Sequence, residues 1–422
     1  MKPRTALVIA AFIACGIAEN SALGREMVLH SFHNHPANQP IAGLVMDAAG
    51  NLYGTTVFGG DKRCFDGCGT VFELAPLAGG GWSYTVIYAF HGGQDGASPA
   101  GTLSTDLAGN LYGTTQGGGS NACSGGCGTV FELSPTSNGG WTENVLFRFD
   151  GKDGQQPYAG VVLDAAGNLY GTTFVGGSDN CLDGCGVAFE LSPSGGQWSE
   201  TILHAFTGGS DGEAPVAPMV LDTQGNLYGT TDQGGTGSCG GASCGLVFKL
   251  TLTGNDWTET VLYRFKGGKE DGGIPHGALI FDLTGNLYGT TFGGGSDACS
   301  DGCGTVFKLT PSGNAWTETV LHRFQGGRDG ANPYNVALVL DQTGALYGTT
   351  VYGGRSTCDC GTAFKLTPAS NGKFNRTLLY AFDSKHGANP NAGVILDAMG
   401  NIFGTAVGGG SDGFGVVFEI TP

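Results

Sequence analysis

The sequence has few basic residues, and they form no cluster. Lys and Arg number 19 of 422 residues against 36 Asp and Glu, so the formal net charge is −17 and the pI is near 4.7. Binding to nucleic acid requires a positively charged face that neutralises phosphates. The charge balance therefore argues against a nucleic-acid partner.

A helical hydrophobic period of useful length is also missing after the first 24 residues. Short alternating segments, separated by Gly, Asp, Asn and Pro, take its place, which is the pattern of strands joined by turns. Gly accounts for 80 residues and recurs at fixed offsets. These glycines therefore indicate turns of a packed all-β chain rather than low complexity.

The N-terminal segment, residues 1–24, resembles a secretory signal. Lys2 and Arg4 precede an apolar stretch from Ala6 to Ala14, which is too short to span a bilayer as a helix. Alternatively, the run that ends at Cys15 is a lipobox, and an acylated Cys15 tethers the protein to a membrane. Either interpretation predicts a protein that is extracellular or on the cell surface.

One motif recurs seven times along the rest of the chain, residues 25–422. The copies centre on Tyr53, Tyr112, Tyr170, Tyr228, Tyr288, Tyr347 and Phe403, at a spacing of 56 to 60 residues. In the second copy, residues 101–106, 110–115, 128–135 and 141–149 read as four strands with turn residues between them. Four antiparallel strands per repeat of this length predict the blade of a β-propeller in a single domain.

The two ends of the chain complement each other. Residues 26–32 (E-M-V-L-H-S-F) match the fourth strand of a copy, whereas the last copy stops at Pro422 after its third strand, residues 415–422. We therefore predict a seven-bladed propeller whose last blade is closed by the N-terminal strand. An open solenoid is the alternative, and it would leave two exposed sheet edges.

Thirteen cysteines are present, and all but Cys15 fall into local pairs. The pairs are Cys64 with Cys68, Cys123 with Cys127, Cys181 with Cys185, Cys239 with Cys244, Cys299 with Cys303, and Cys358 with Cys360. In an exported chain this even number predicts disulfides. Zinc is the alternative, but each repeat supplies only two of four ligands. The last pair is the doubtful one, because a one-residue spacer forces strained geometry.

The strings G-N-L-Y-G-T-T, G-x-V-F-E/K-L and G-G-x-D-G-x-x-P resemble the GloVer tandem repeat family of exported bacterial proteins. The match covers nearly everything after the signal. The resemblance implies an extracellular or surface-attached bacterial protein without an assigned activity. The chain is more distantly similar to NHL-type and streptogramin-lyase-like propellers. This similarity supports the propeller fold, but the sequence contains no evident lyase motif.

In a propeller, the cysteine loops and the G-G-x-D-G-x-x-P loops emerge on one face, which we take as the functional face. Five of the latter loops carry an aspartate before glycine, namely Asp95, Asp153, Asp211, Asp271 and Asp329. These carboxylates form a candidate collar for Ca²⁺, which favours oxygen ligands. The alternative is ordinary Asp-Gly turn chemistry. No other cofactor is expected.

The residue after the loop proline varies among copies that are otherwise alike, and it should open onto the mouth of the central channel. Recognition in a symmetric ring needs broken symmetry, so we expect the variable polar and aromatic residues to contact a ligand. These are Tyr158, His276, Tyr334, Asn335 and Asn391. Aromatic and amide groups suit a carbohydrate or a peptide. Drift at a tolerant loop edge is the alternative.

The sequence thus predicts a monomeric binding or interaction propeller with an extracellular carbohydrate or protein ligand. An extracellular polysaccharide hydrolase or lyase is the second hypothesis, and a structural coat protein is the third, since a propeller serves all three. The variable residues lie in copies spread along the chain. An enzyme would concentrate them in neighbouring blades, so this spread favours binding.

Overall fold

Seven four-stranded antiparallel sheets follow one another around a ring. The computed structural model describes residues 24–34, 37–313, 315–355 and 357–422. The proposed signal and Cys15 lie outside this range, except for Gly24. We number the sheets as blades I to VII in the chain order of their innermost strands. No helix in the described part of the chain is long and apolar enough to cross a membrane.

Each blade contains a two-residue inner strand, a second strand, a third strand and an outer strand. The inner strands are Val45–Met46, Ser104–Thr105, Val162–Leu163, Val220–Leu221, Ile280–Phe281, Val339–Leu340 and Ile395–Leu396. The second strands are Leu52–Thr56, Leu111–Thr115, Leu169–Thr173, Leu227–Thr231, Leu287–Thr291, Leu346–Thr350 and Ile402–Ala406. The third strands are Thr70–Pro76, Thr129–Pro135, Val187–Ser194, Leu246–Thr253, Thr305–Ser312, Thr362–Pro368 and Val416–Thr421.

The outer strands of blades I to VI are Trp82–Ala89, Trp141–Arg148, Gln197–Ala205, Asp256–Arg264, Ala315–Arg323 and Phe374–Ala381. Two short pairs lie among the loops, Ala37–Asn38 with Phe58–Gly59 and Gly272–Gly273 with Gly293–Gly294. Single 3-10 turns occur at Gly93–Asp95 and Gly327–Asp329.

The N-terminal strand closes blade VII, as the sequence predicts. Arg25–Ser31 pairs antiparallel with Val416–Thr421 and is the outer strand of that blade. Across the junction to blade I, the Thr405 hydroxyl donates a hydrogen bond of 2.8 Å to the carbonyl of Ala42. The ring is therefore closed, and the open solenoid is excluded.

A pair of phenylalanines joins each blade to the next. One ring ends the outer strand of a blade, and the other lies in the third strand of the following blade; both are buried. The seven pairs are Phe32–Phe72, Phe90–Phe131, Phe149–Phe189, Phe206–Phe248, Phe265–Phe307, Phe324–Phe364 and Phe382–Phe418, with centroids 5.0 to 5.3 Å apart in edge-to-face geometry. The prediction that these residues pack blade against blade is confirmed.

The glycine of the G-N-L-Y-G-T-T motif makes room for this contact. In blade IV, a Cβ on Gly229 would lie 2.5 Å from Cζ of Phe248, and the corresponding glycines of the other blades meet their own Phe at 2.5 to 2.8 Å. The distance is below any real carbon–carbon contact, so a side chain there would displace the ring. The repeated glycine is thus a packing requirement.

The aspartate that begins each D-x-x-G turn accepts hydrogen bonds within its own turn. These turns lie on the face opposite the cysteine loops. The Asp282 carboxylate accepts hydrogen bonds from the backbone N–H of Asn286 at 3.0 Å, from its side-chain amide at 2.6 Å, and from the Tyr288 hydroxyl at 3.0 Å. Burial raises the pKa of Asp282, but the hydrogen bonds from Asn286 and Thr284 outweigh it and lower the pKa to about 2. These aspartates are scaffold.

A second set of acidic side chains, all glutamates, lies at the junctions between blades. Five outer strands carry a half-buried glutamate at one shared position: Glu26, Glu143, Glu200, Glu259 and Glu318. Blade VI has Arg376 there, and its Nε lies 3.1 Å from Asp329 of the preceding loop. At this position, the glutamates of the other blades therefore lie near an aspartate, whereas the arginine of blade VI forms an ion pair with one. Burial, followed by the charge of Asp211, raises the pKa of Glu259 to about 7.

We predict that Gly229→Ala lowers the free energy of unfolding by about 1 to 3 kcal/mol, because the added methyl group overpacks the core against Phe248. Gly209→Ala is the matched control, since a Cβ added there would meet nothing within 4 Å and its φ is negative or extended. Denaturant unfolding measures both variants. Equal stabilities would contradict the packing role.

We predict that the half-buried glutamates of the outer strands destabilise the protein as the pH rises from about 5 to about 8. A carboxyl group whose pKa is higher in the folded state costs stability as the pH rises from its unfolded pKa to its folded pKa, because the unfolded state loses its proton first. Glu259→Gln should therefore raise the Tm at about pH 8 and leave it unchanged at about pH 4. Glu270→Gln, whose parent side chain is 95% exposed, is the control. The same Tm change at both pH values would refute the explanation.

Candidate functional site

The central channel ends in a cavity of about 220 Å³ that residues from all seven blades line. Most of the lining residues are Gly, Ala, Val, Leu and Ile. The exceptions with polar side chains are Thr102, Tyr158, His276 and Asn335. Neither carboxylates nor Lys or Arg side chains belong to this lining. The polar groups therefore stand out against an apolar wall.

The loop face is built as the sequence predicts. All six cysteine pairs form disulfides, including the doubtful Cys358–Cys360, with Cα atoms 5.0 to 5.2 Å apart. A Cβ on Gly92, in the loop between blades I and II, would lie 2.9 Å from Sγ of Cys64. The two kinds of loop thus lie on one face. The zinc alternative is excluded for these cysteines, since each is bonded to its partner.

The five loop aspartates are engaged within their own loops. The Asp211 carboxylate accepts hydrogen bonds from the N–H and hydroxyl of Thr207 at 3.0 and 2.6 Å. Asp271 accepts from the Tyr263 hydroxyl and the Lys266 N–H, both at 2.9 Å. Across the described residues, no three His, Cys, Asp or Glu side chains converge on a metal position. Binding of Ca²⁺ by Asp95, Asp153, Asp211, Asp271 and Asp329 stays a prediction of the sequence.

Three of the five predicted ligand contacts line the cavity: Tyr158, His276 and Asn335. Tyr334 and Asn391 are outside its lining. Blade VI contains one more residue than the others between the loop proline and the turn aspartate, Pro333 and Asp341. Counted back from the aspartate, Asn335 occupies the position of Tyr158 and His276, and it does so at a φ of 48°.

Tyr334 forms part of the wall behind the cavity. Its ring packs on His276 with centroids 4.4 Å apart and on Phe292 at 5.7 Å. On another blade, Tyr158 contacts Phe174 edge to face at 5.2 Å and remains 36% exposed. The mouth therefore offers an exposed aromatic ring and a cluster of three partly buried rings.

Sequence reasoning missed Asp232, which directly follows the second strand of blade IV. The other blades have Val57, Gln116, Phe174, Phe292, Val351 and Val407 at this position. Oδ1 of Asp232 lies 3.3 Å from Nε2 of His276, and only 14% of its side chain is exposed. A comparison of the residue after each G-T-T or G-T-A would have found it, because Asp232 is the one charged residue in that series.

Burial controls the electrostatics of this pair. It raises the pKa of the Asp232 carboxyl and lowers the pKa of His276, and the charge of the partner opposes each shift. Both neutral forms are therefore favoured relative to water. Burial and then the charge of Asp232 raise the pKa of the Tyr334 hydroxyl.

The polar departures from symmetry are grouped on one side of the ring. Asp232, His276 and Asn335 come from blades IV, V and VI, which are consecutive. The sequence interpretation, in which the variable residues are spread around the ring, omitted Asp232 and the packing of Tyr334 on His276. The mouth therefore has a polar, aromatic side and an apolar side formed by residues such as Ile41 and Ala100.

We predict a non-additive double-mutant cycle for Asp232 and His276. Asp232→Val should lower the free energy of unfolding by about 1 to 3 kcal/mol, because it removes the carboxylate that contacts the buried His276 imidazole at 3.3 Å and leaves that ring without a charge partner. The double variant Asp232→Val with His276→Val, which installs residues that other blades carry, should recover to within about 1 kcal/mol of the parent. Chemical denaturation measures the cycle. Additive losses would show that the two side chains are not coupled.

Comparison with solved structures finds proteins that resemble this chain at low sequence identity. A fungal alcohol oxidase of the AA5 family, solved in complex with copper, matches at 15% identity over 95% of this chain and 76% of its own, with a TM-score of 0.54. A protein of unknown function from Dyadobacter fermentans matches at 11% identity over 94% and 98%, with a TM-score of 0.45. A Lactobacillus plantarum protein matches at 14% over 84% and 86%, with a TM-score of 0.49. At these identities the likeness concerns the fold alone.

No curated protein sequence matches the chain. The Gloeobacter/Verrucomicrobia repeat matches residues 20–243 and 238–422, in agreement with the GloVer resemblance. This repeat family and the six disulfides indicate an extracellular protein. Because the match spans nearly the whole sequence, the chain belongs to the Gloeobacter/Verrucomicrobia repeat family.

Proposed function

We propose that this protein is an exported bacterial propeller that binds a carbohydrate at the loop-face mouth of its channel. One observation carries the proposal: Tyr158, His276 and Asn335, which break the symmetry of the ring, line the same otherwise apolar cavity. A sugar ring presents an apolar face and a rim of hydroxyl groups. An exposed tyrosine ring can stack on such a face, while imidazole and amide groups bond the rim.

The size of the cavity limits what enters it. Its volume of about 220 Å³ is below the roughly 300 to 1,000 Å³ of pockets that take drug-sized molecules. One sugar unit, or the end of a chain, fits that space better than a long oligomer. The remaining units of a polysaccharide would lie across the loop face, beside the disulfide-bonded loops.

Hydrolysis of a polysaccharide is the second candidate function. The grouping of Asp232 and His276 in neighbouring blades favours it, because paired acid and base groups are the usual catalytic arrangement. Most glycoside hydrolases use two carboxyl groups that flank the scissile bond. The described side chains at this mouth include one, Asp232, so binding is the better-supported function.

Calorimetric titration with a panel of neutral and charged oligosaccharides tests the proposal. We expect Tyr158→Ala and Asn335→Ala each to weaken the binding of an active sugar about tenfold, which corresponds to about 1.4 kcal/mol. Leu107→Ala is the control, since this apolar side chain is fully exposed on a D-x-x-G turn of the opposite face. Its affinity should equal that of the parent.

Two results would overturn the proposal. Absence of binding to every sugar in the panel would favour a peptide-binding or coat role. Release of new reducing ends from a polysaccharide, lost in Asp232→Asn, would instead establish the hydrolase.

A further inference from the structure

The carboxylate of Asp232 lies against His276, next to the lining of the cavity but not part of it, and no Lys or Arg among the described residues forms an ion pair with it. Apart from the 3.3 Å contact with His276, no described residue forms an ion pair or a hydrogen bond with it. Its Oδ1 is buried and lacks a hydrogen-bond partner, as does Nδ1 of His276. Burial also keeps the pKa of His276 below its ordinary value, so at neutral pH this histidine is not a full positive charge.

An aromatic cluster lies beside this carboxylate. His276, which contacts it at 3.3 Å, packs against Phe292 and Tyr334, with ring centroids 5.8 and 4.4 Å away. After burial, the charge of Asp232 is the next cause that raises the pKa of the Tyr334 hydroxyl, so this carboxylate and the Tyr334 ring lie near one another. A carboxylate beside an aromatic cluster is an environment that attracts an organic cation.

The fold does not need an acid at this position. Five other blades have Val or Phe there, and blade II has Gln116. Burying a carboxylate without a counter-charge destabilises a protein. Asp232 is therefore explained by something that occupies the mouth rather than by packing.

We propose that the sugar bound at the mouth carries a free amine and that the Asp232 carboxylate binds its ammonium group. The inference rests on the proposed function and names its ligand class, an amino sugar. An ammonium group brings the missing positive charge and three N–H donors. The neighbouring rings contribute cation–π attraction, and the net charge of −17 attracts a cationic ligand at long range.

Three tetrasaccharides that share a β-1,4-linked backbone provide the test: those of glucosamine, N-acetylglucosamine and glucose. We expect the glucosamine tetramer to bind at least about tenfold more tightly than the other two at low salt, and the difference to shrink as salt rises. Asp232→Asn should reduce the affinity for glucosamine to that for glucose. Asp256→Asn is the control, because it makes the same charge change at an exposed position on an outer strand.

Asp232→Gln is the second variant, since blade II carries glutamine at this position. If Asp232→Asn fails to fold, Asp232→Gln still tests the role of the carboxylate. Thermal melting shows which of the two variants is folded. Equal binding of the glucosamine and glucose tetramers would overturn the inference and leave the proposed function intact. A preference for glucosamine that survives both Asp232 substitutions would also overturn it. Absence of binding to all three, and to the wider sugar panel, would refute the proposed function itself.

Discussion

The edge-to-face contact between one phenylalanine and the next blade's phenylalanine determines most of this molecule. It recurs seven times with centroid distances that differ by only 0.3 Å, from 5.0 to 5.3 Å. A spacing this uniform requires a glycine below each third-strand ring and small residues nearer the axis. At the inner segments, a Cβ on Gly101 would lie 2.4 Å from the backbone nitrogen of Gly160. The channel is therefore narrow, and few polar side chains line it. Recognition of a ligand is thus confined to the mouth of the channel.

The two faces of the ring differ in how far their residues can vary. On one face, aspartate, asparagine and tyrosine repeat the same bonded turn, and variation there would remove hydrogen bonds that support each blade. On the other face, disulfides hold glycine-rich loops whose residues next to the axis are free to differ. The extra residue of blade VI shows this freedom: it moves Tyr334 off the channel and against His276, and puts Asn335 in its place.

The sequence sufficed for the architecture because each strand, turn and disulfide depends on residues within one repeat or at matching positions of the next. Of the five residues that it predicts as ligand contacts, Tyr158, His276 and Asn335 line the cavity and Tyr334 and Asn391 do not, and their contact with a ligand stays a prediction. Asp232 was missed because it departs from the repeat at a different position, directly after the second strand, and meets His276 only once adjacent blades pack. A repeat indicates which residues share an environment. It does not indicate which of them touch across the ring.

The strand that closes blade VII also bears on how the ring folds. Its ring contains contacts between residues 363 positions apart, such as Thr405 with Ala42. Arg25–Ser31 has no partner in its sheet until Val416–Thr421 is present, so ring closure depends on a contact between segments almost 400 residues apart. Contacts of such high sequence separation slow folding, and a chain truncated before residue 416 would leave the N-terminal strand without a sheet to complete.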